Sequence, residues 1–139
     1  MILDLSKPQH ITAEARLKEE LIAWLTTVSP SGQPQSTPIW FLWDGEEFVI
    51  YGSKDGPKVP NIRANPHVGL HLEGDRKGGG NVIFEGMARI DEVAAGLSDS
   101  ANYLAKYGDT INAYGWTPQS MAQDYPHVIK VTPTRVRIW

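Results

Sequence analysis

Apolar and polar positions along the chain fall into two regimes. Leu17, Leu21, Trp24 and Leu25 recur at three- and four-residue spacing, with Arg16, Lys18, Glu19 and Glu20 on the opposite side and Thr12 in place to cap. This pattern predicts one amphipathic helix over Thr12 to Leu25. From there the pattern becomes β-rich runs punctuated by turn residues. Thr26 to Ser29, Gln35 to Trp43 and Glu47 to Tyr51 are separated by Pro30-Ser31-Gly32-Gln33 and by Asp44-Gly45. They predict a three-stranded meander.

Pro57 to Ala64 reads as a short helix, with Pro57 suited to its first turn and Asn65-Pro66 stopping it. His67 to Glu73 follows as a fourth strand. Gly74 to Gly80 is too polar and glycine-rich for an element interior, and Asn81 to Asp91 alternates like a fifth strand. Val93 to Tyr107 and Pro118 to Asp124 read as helices, and Val128 to Trp139 as a sixth strand broken or bent at Pro133. Turns this short between consecutive strands require antiparallel pairing, since parallel neighbours need crossovers of a dozen residues or more. The fold class is therefore mainly β, a six-stranded antiparallel sheet with flanking helices.

The 139 residues suit one domain, read as 1–139, and 41% hydrophobic content is enough for one core. A charged fraction of 21% and a net charge of −3 give neither the basic excess of a nucleic-acid binder nor an acidic disordered tail. No apolar run of about eighteen residues exists to span a bilayer, and the N-terminus lacks the pattern of a signal peptide. A cytoplasmic protein with no membrane or nucleic-acid partner is expected. Without cysteine there is no thiolate nucleophile, iron-sulfur cluster or cysteine-held zinc. Redox chemistry would have to use an organic cofactor or a metal held by His and carboxylates.

A metal is disfavoured. His67 and His71 share a strand face, but at about 3.3 Å per residue they start roughly 13 Å apart, too far for one ion. No nucleophile elbow or triad is legible. The strongest local cluster is Tyr51-Gly52-Ser53-Lys54-Asp55-Gly56-Pro57-Lys58, where a strand ends and a short helix begins with two lysines four residues apart. Free N–H groups at a helix start, together with Ser53, Lys54 and Lys58, suit phosphate. A solvated turn is the plain alternative. Residues 51–80 hold five cations (Lys54, Lys58, Arg63, Arg76, Lys77) against three anions (Asp55, Glu73, Asp75), a net of +2 that leaves the remainder at −5.

A second feature is Gln35 to Trp43, polar at its start and aromatic at its end. Pro38 cannot donate to a ladder, so the strand is bulged or an edge there, and nearby backbone can turn toward a ligand ring. Trp40 and Trp43 are equally the stuff of an ordinary core. Gly78-Gly79-Gly80 lacks the order of a P-loop or a dinucleotide fingerprint and reads as a flexible hairpin tip, whose glycines also allow close backbone approach.

The early helix, the Gly-Gln-Pro-Gln-Ser-Thr-Pro-Ile-Trp-Phe strand, the Asp-Gly hairpin and the run Ser-Lys-x-x-x-Lys-x-x-Asn-Ile-Arg-x-Asn-Pro-His-Val together resemble the pyridoxamine 5'-phosphate oxidase-like split barrels. The short chain, the Gly-rich hairpin and the terminal Pro-Thr-Arg-Val-Arg-Ile-Trp are most similar to the F420-dependent oxidoreductase branch. The resemblance implies an FMN-binding split barrel fold and a homodimer with cofactor sites at the interface. It implies that Ser36, Thr37, Pro38, Ile39 and Trp40 line the ring while Ser53, Lys54 and Lys58 hold the phosphate. Asn61, Lys77, Gly79, Asn81 and Trp116 are implied as further contacts. The expected cofactor is the deazaflavin F420, used for hydride transfer to a small electron-poor molecule such as an enone or quinone. FMN in the same fold is the alternative, as is a carrier of F420, flavin, tetrapyrrole or fatty acid without turnover. The chain ends without the Arg- and His-bearing segment that grips pyridoxal phosphate in the vitamin oxidases, which speaks against vitamin B6 synthesis.

Overall fold

The computed structural model describes residues 1–139. Helix α1 spans Pro8–Glu19, followed by strands β1 (Ala23–Val28), β2 (Pro34–Ile39), β3 (Leu42–Trp43) and β4 (Phe48–Gly52). Helix α2 (Lys58–Ala64) leads to β5 (His67–Leu72) and β6 (Val82–Ile90). A 3-10 turn at Leu97–Asp99, helices α3 (Ala101–Ala113) and α4 (Pro118–Asp124), and β7 (His127–Ile138) complete the chain. No helix is long and apolar enough to cross a membrane.

The seven strands form one sheet in the order β2-β1-β5-β6-β7-β4-β3, with every pair antiparallel. Its two edges, β2 and β3, are joined by Trp40 and Phe41 alone. Three residue steps from Ile39 to Leu42 reach at most about 11 Å. Six gaps of about 4.8 Å would hold the edges of a flat sheet roughly 29 Å apart. The short link therefore forces the sheet to curl until its edges face each other, and because β2 and β3 do not pair, the barrel stays split there.

Three expectations need correction. The first helix ends at Glu19, and Trp24 and Leu25 belong to β1, which pairs with β2 on one side and β5 on the other and turns Ala23, Leu25 and Thr27 to its buried face. Thr12 is not its cap. Lys7 is, without a side-chain bond, and the Thr12 hydroxyl donates back to the Pro8 carbonyl at 3.2 Å. The run Gln35 to Trp43 is two strands, giving seven strands where six were expected, and these strands form two separate hairpins rather than a meander. The helix expected over Val93 to Tyr107 starts later, where the Ser100 hydroxyl caps the Tyr103 N–H, and runs on to Ala113.

The bend at Pro133 is a bulge. Glu85 pairs with Arg135 and Gly86 with Pro133, so Thr134 is left over, and its hydroxyl donates to the Glu85 carbonyl at 3.2 Å. Twenty buried residues, among them Leu25, Phe41, Phe48, Ile50, Leu70 and Phe84, fill the barrel. A second cluster of Leu97, Tyr103, Tyr107, Ile111 and Met121 forms under α3 and α4.

Candidate functional site

Between these two clusters, where the split faces the helices, lies a cavity of about 460 Å³. The end of β2 and its exit supply Pro38, Ile39 and Trp40. Across the split, β4 and the turn after it supply Ile50, Tyr51, Gly52 and Ser53, and the first turn of α2 supplies Lys58. Tyr103, Tyr114, Trp116, Met121 and Tyr125 cover it from the helical side. Pro38 is tolerated because β2 is an edge strand, where a missing N–H can face away from the ladder. Gly52 packs closely: a Cβ there would lie 2.9 Å from Ile129 Cδ1 and 3.3 Å from Val59 Cγ2, so a larger residue would require the Ile129 tip to shift.

The walls are mostly aromatic. Trp40 stacks on Tyr107 with centroids 4.6 Å apart and planes 4° from parallel, and Tyr51 meets Tyr103 edge-on at 4.8 Å. Tyr114 and Trp116 stack at 4.8 Å across Gly115, whose φ of 77° suits glycine. Burial pushes the Tyr51 and Tyr103 phenols above the ordinary range, which makes both weaker acids than an exposed tyrosine. Lys58 is half-buried with no ion-pair partner, and burial lowers its pKa. A cation so placed is a standing invitation to an anion.

Lys54 differs from Lys58. Its ammonium lies 3.4 Å from Asp124, and its N–H donates to the Asp124 carbonyl at 3.0 Å. It borders an adjoining chamber of about 290 Å³ that shares Ser53, Trp116, Met121 and Tyr125 with the main cavity. Thus Pro38, Ile39, Trp40, Ser53, Lys58 and Trp116 of the expected contacts come together, with Lys54 at the margin.

The others lie elsewhere in this chain. The Ser36 hydroxyl is 2.6 Å from that of Thr26, and Thr37 buries its hydroxyl oxygen without a hydrogen-bond partner. Asn61 is buried and donates to Thr27 and Gln35, tying α2 to β1 and β2. Lys77, Gly79 and Asn81 belong to the β5–β6 hairpin, which is ordered around the Asp75 carboxylate: it accepts from the Lys77 and Gly79 N–H groups at 2.7 and 3.0 Å. The Asn81 amide donates to the Gly78 carbonyl. Of the cations that cluster in sequence, Arg63 pairs with Glu92 at 2.8 Å and does not line the cavity. Sequence reasoning missed Tyr51, Tyr103, Tyr114 and Tyr125 as lining residues. The Tyr103, Tyr107, Ile111 spacing signals only a buried helix face, not what that face covers.

A sequence profile described as pyridoxamine 5'-phosphate oxidase matches residues 10–139. The chain belongs to the pyridoxamine 5'-phosphate oxidase family. Among curated sequences none matches. Solved structures similar to this family member include an F420 reductase, 26% identical, aligned over 89% of this chain and 94% of the other with a TM-score of 0.65. A conserved hypothetical protein of Mycobacterium tuberculosis is 25% identical over 93% of this chain and 82% of its own, with a TM-score of 0.68. A heme-storage protein of Vibrio cholerae, 16% identical over 99% and 95% with a TM-score of 0.64, shares the fold. The split-barrel architecture thus hosts both a reductase and a storage protein, and the family name alone does not decide chemistry.

Proposed function

We propose that the chain binds the deazaflavin F420 in the cavity at the barrel split and serves as an oxidoreductase acting on a small electron-poor organic molecule. The observation that carries this reading is the meeting of an aromatic and apolar wall, Pro38 to Trp40 with Tyr51 and Tyr103, with the half-buried unpaired Lys58. A flat ring with an anionic tail satisfies both at once. The cavity volume falls in the range of small-molecule and cofactor sites, roughly 300–1,000 Å³. The likeness to an F420 reductase favours the deazaflavin over FMN.

When bound, the deazaflavin supplies the ring carbon that exchanges a hydride with the substrate. The chain's own residues do the rest. Pro38, Ile39 and Trp40 present a dry surface to one face of a ring, and Lys58 with the Ser53 hydroxyl holds a phosphate by charge-assisted bonds. Reduction of an activated alkene leaves an enolate that must gain a proton, and the phenols that line the cavity, Tyr51, Tyr103, Tyr114 and Tyr125, are the candidate donors.

The site is completed by a second copy of the chain. β2 exposes Gln35, Ser36 and Pro38 beside the cavity, and Tyr114 and Trp116 remain exposed at its mouth. In such a dimer Lys77, Gly79 and Asn81 serve the partner's cavity, which accounts for their distance from their own. Sedimentation should give twice the mass of the 139-residue chain, and a monomer that binds cofactor at full affinity would remove this part of the proposal. Fluorescence titration with F420 tests the cofactor assignment, with affinity expected in the wild type and weakened by about tenfold or more in Lys58→Ala. Tighter binding of FMN than of F420 would transfer the assignment to a flavin enzyme.

A further inference from the structure

Only Trp40 and Phe41 carry the chain from one edge of the sheet to the other, and α3 grips this link through two adjacent side chains. The Tyr107 hydroxyl accepts the Phe41 N–H at 2.9 Å and lies 2.7 Å from the Leu21 carbonyl and 3.1 Å from the Phe41 carbonyl, to either of which its proton can go. Lys106 donates to the Phe41 carbonyl at 3.0 Å, its ammonium 3.9 Å from the centroid of the Phe41 ring. Tyr107 is fully buried and does not line the cavity. Trp40, stacked on it, does.

Resting on the cofactor reading of this cavity, we infer that Tyr107 is the positioning residue that fixes Trp40 as a preorganised wall for the cofactor ring. The stack alone leaves the Trp40 backbone free to shift. The hydroxyl removes that freedom by accepting the N–H of the peptide that joins Trp40 to Phe41, so the indole does not have to be ordered at binding. A side chain that acts only as core would stabilise the fold without affecting ring affinity.

Tyr107→Phe keeps the ring and the stack but removes the hydroxyl. It is compared with Trp40→Phe, with the double variant, and with Leu70→Ala, a control that destabilises the far side of the barrel. Near-ultraviolet circular dichroism of the cofactor-free protein isolates the Trp40 band as the part lost in Trp40→Phe. Tyr107→Phe should change that band and weaken F420 and FMN alike by about tenfold, the loss of one hydrogen bond's worth of order. In the Trp40→Phe background the same substitution should cost little further affinity, and Leu70→Ala should cost none. Equal loss in both backgrounds, no loss, or an unchanged Trp40 band would overturn the inference. If wild type binds neither cofactor, the cofactor reading itself fails, and the Trp40 band alone decides whether Tyr107 positions the indole.

Discussion

Two lysines four residues apart carry unequal weight. Lys58 is half-buried without a counter-charge, whereas Lys54 already faces Asp124. Lys58→Ala should weaken cofactor binding roughly tenfold to a hundredfold, the scale of one charge-assisted bond, and Lys54→Ala several-fold less by the same titration. Equal losses would mean that the Asp124 pairing does not persist in solution. The lysine turn was legible because its parts are neighbours in sequence, but the Asp124 that separates the two roles lies seventy residues further on. Asn61 was expected as a cofactor contact and instead ties α2 to Thr27 and Gln35, partners far from it in the chain. Lys106 offers a test in pH. Burial brings it from its ordinary 10.5 to about 8, with Glu20 partly opposing. Between those values the unfolded chain binds more protons, so this group makes stability rise with pH from about 8 toward 10.5. Urea midpoints at pH 7.5 and 9.5 should therefore show a smaller rise for Lys106→Met than for wild type, with the Lys58 contribution remaining in both.

Elements were legible where a local period met no competing one. α4 begins and ends where Pro118 and Asp124 predict, with Thr117 and Ser120 forming a capping box. β1 was lost to the helix because Leu17, Leu21, Trp24 and Leu25 satisfy a helical period across a boundary that only strand pairing on both sides defines. β2 and β3 read as one strand because Trp40 and Phe41 are good strand residues, and their break belongs to barrel curvature and the grip of α3. That helix depends on its cap. Ser100→Ala removes the hydroxyl that accepts the Tyr103 N–H and should cost about 1 kcal/mol in urea unfolding. Because α3 carries Tyr103 and Tyr107, it should also loosen the cavity's aromatic wall.

At the scale of the molecule, the link of two residues between opposite edges is what makes this sheet a split barrel, and the split is what makes the cavity. One wall comes from one edge, the opposing wall from beside the other, and α3 and α4 close the third side. No single element contains the site, which explains why its strand and turn could be named from sequence while its tyrosine-lined cover could not. The fold family fixes the architecture but spans more than one chemistry, so the central claim concerns what fills the cavity. The most direct measurement is a side-by-side fluorescence titration of the purified protein with F420 and with FMN, in wild type and Lys58→Ala. Binding of F420 that is tighter than that of FMN and falls at least about tenfold in Lys58→Ala is the predicted result, whereas no binding of either, or affinity indifferent to Lys58, would contradict it.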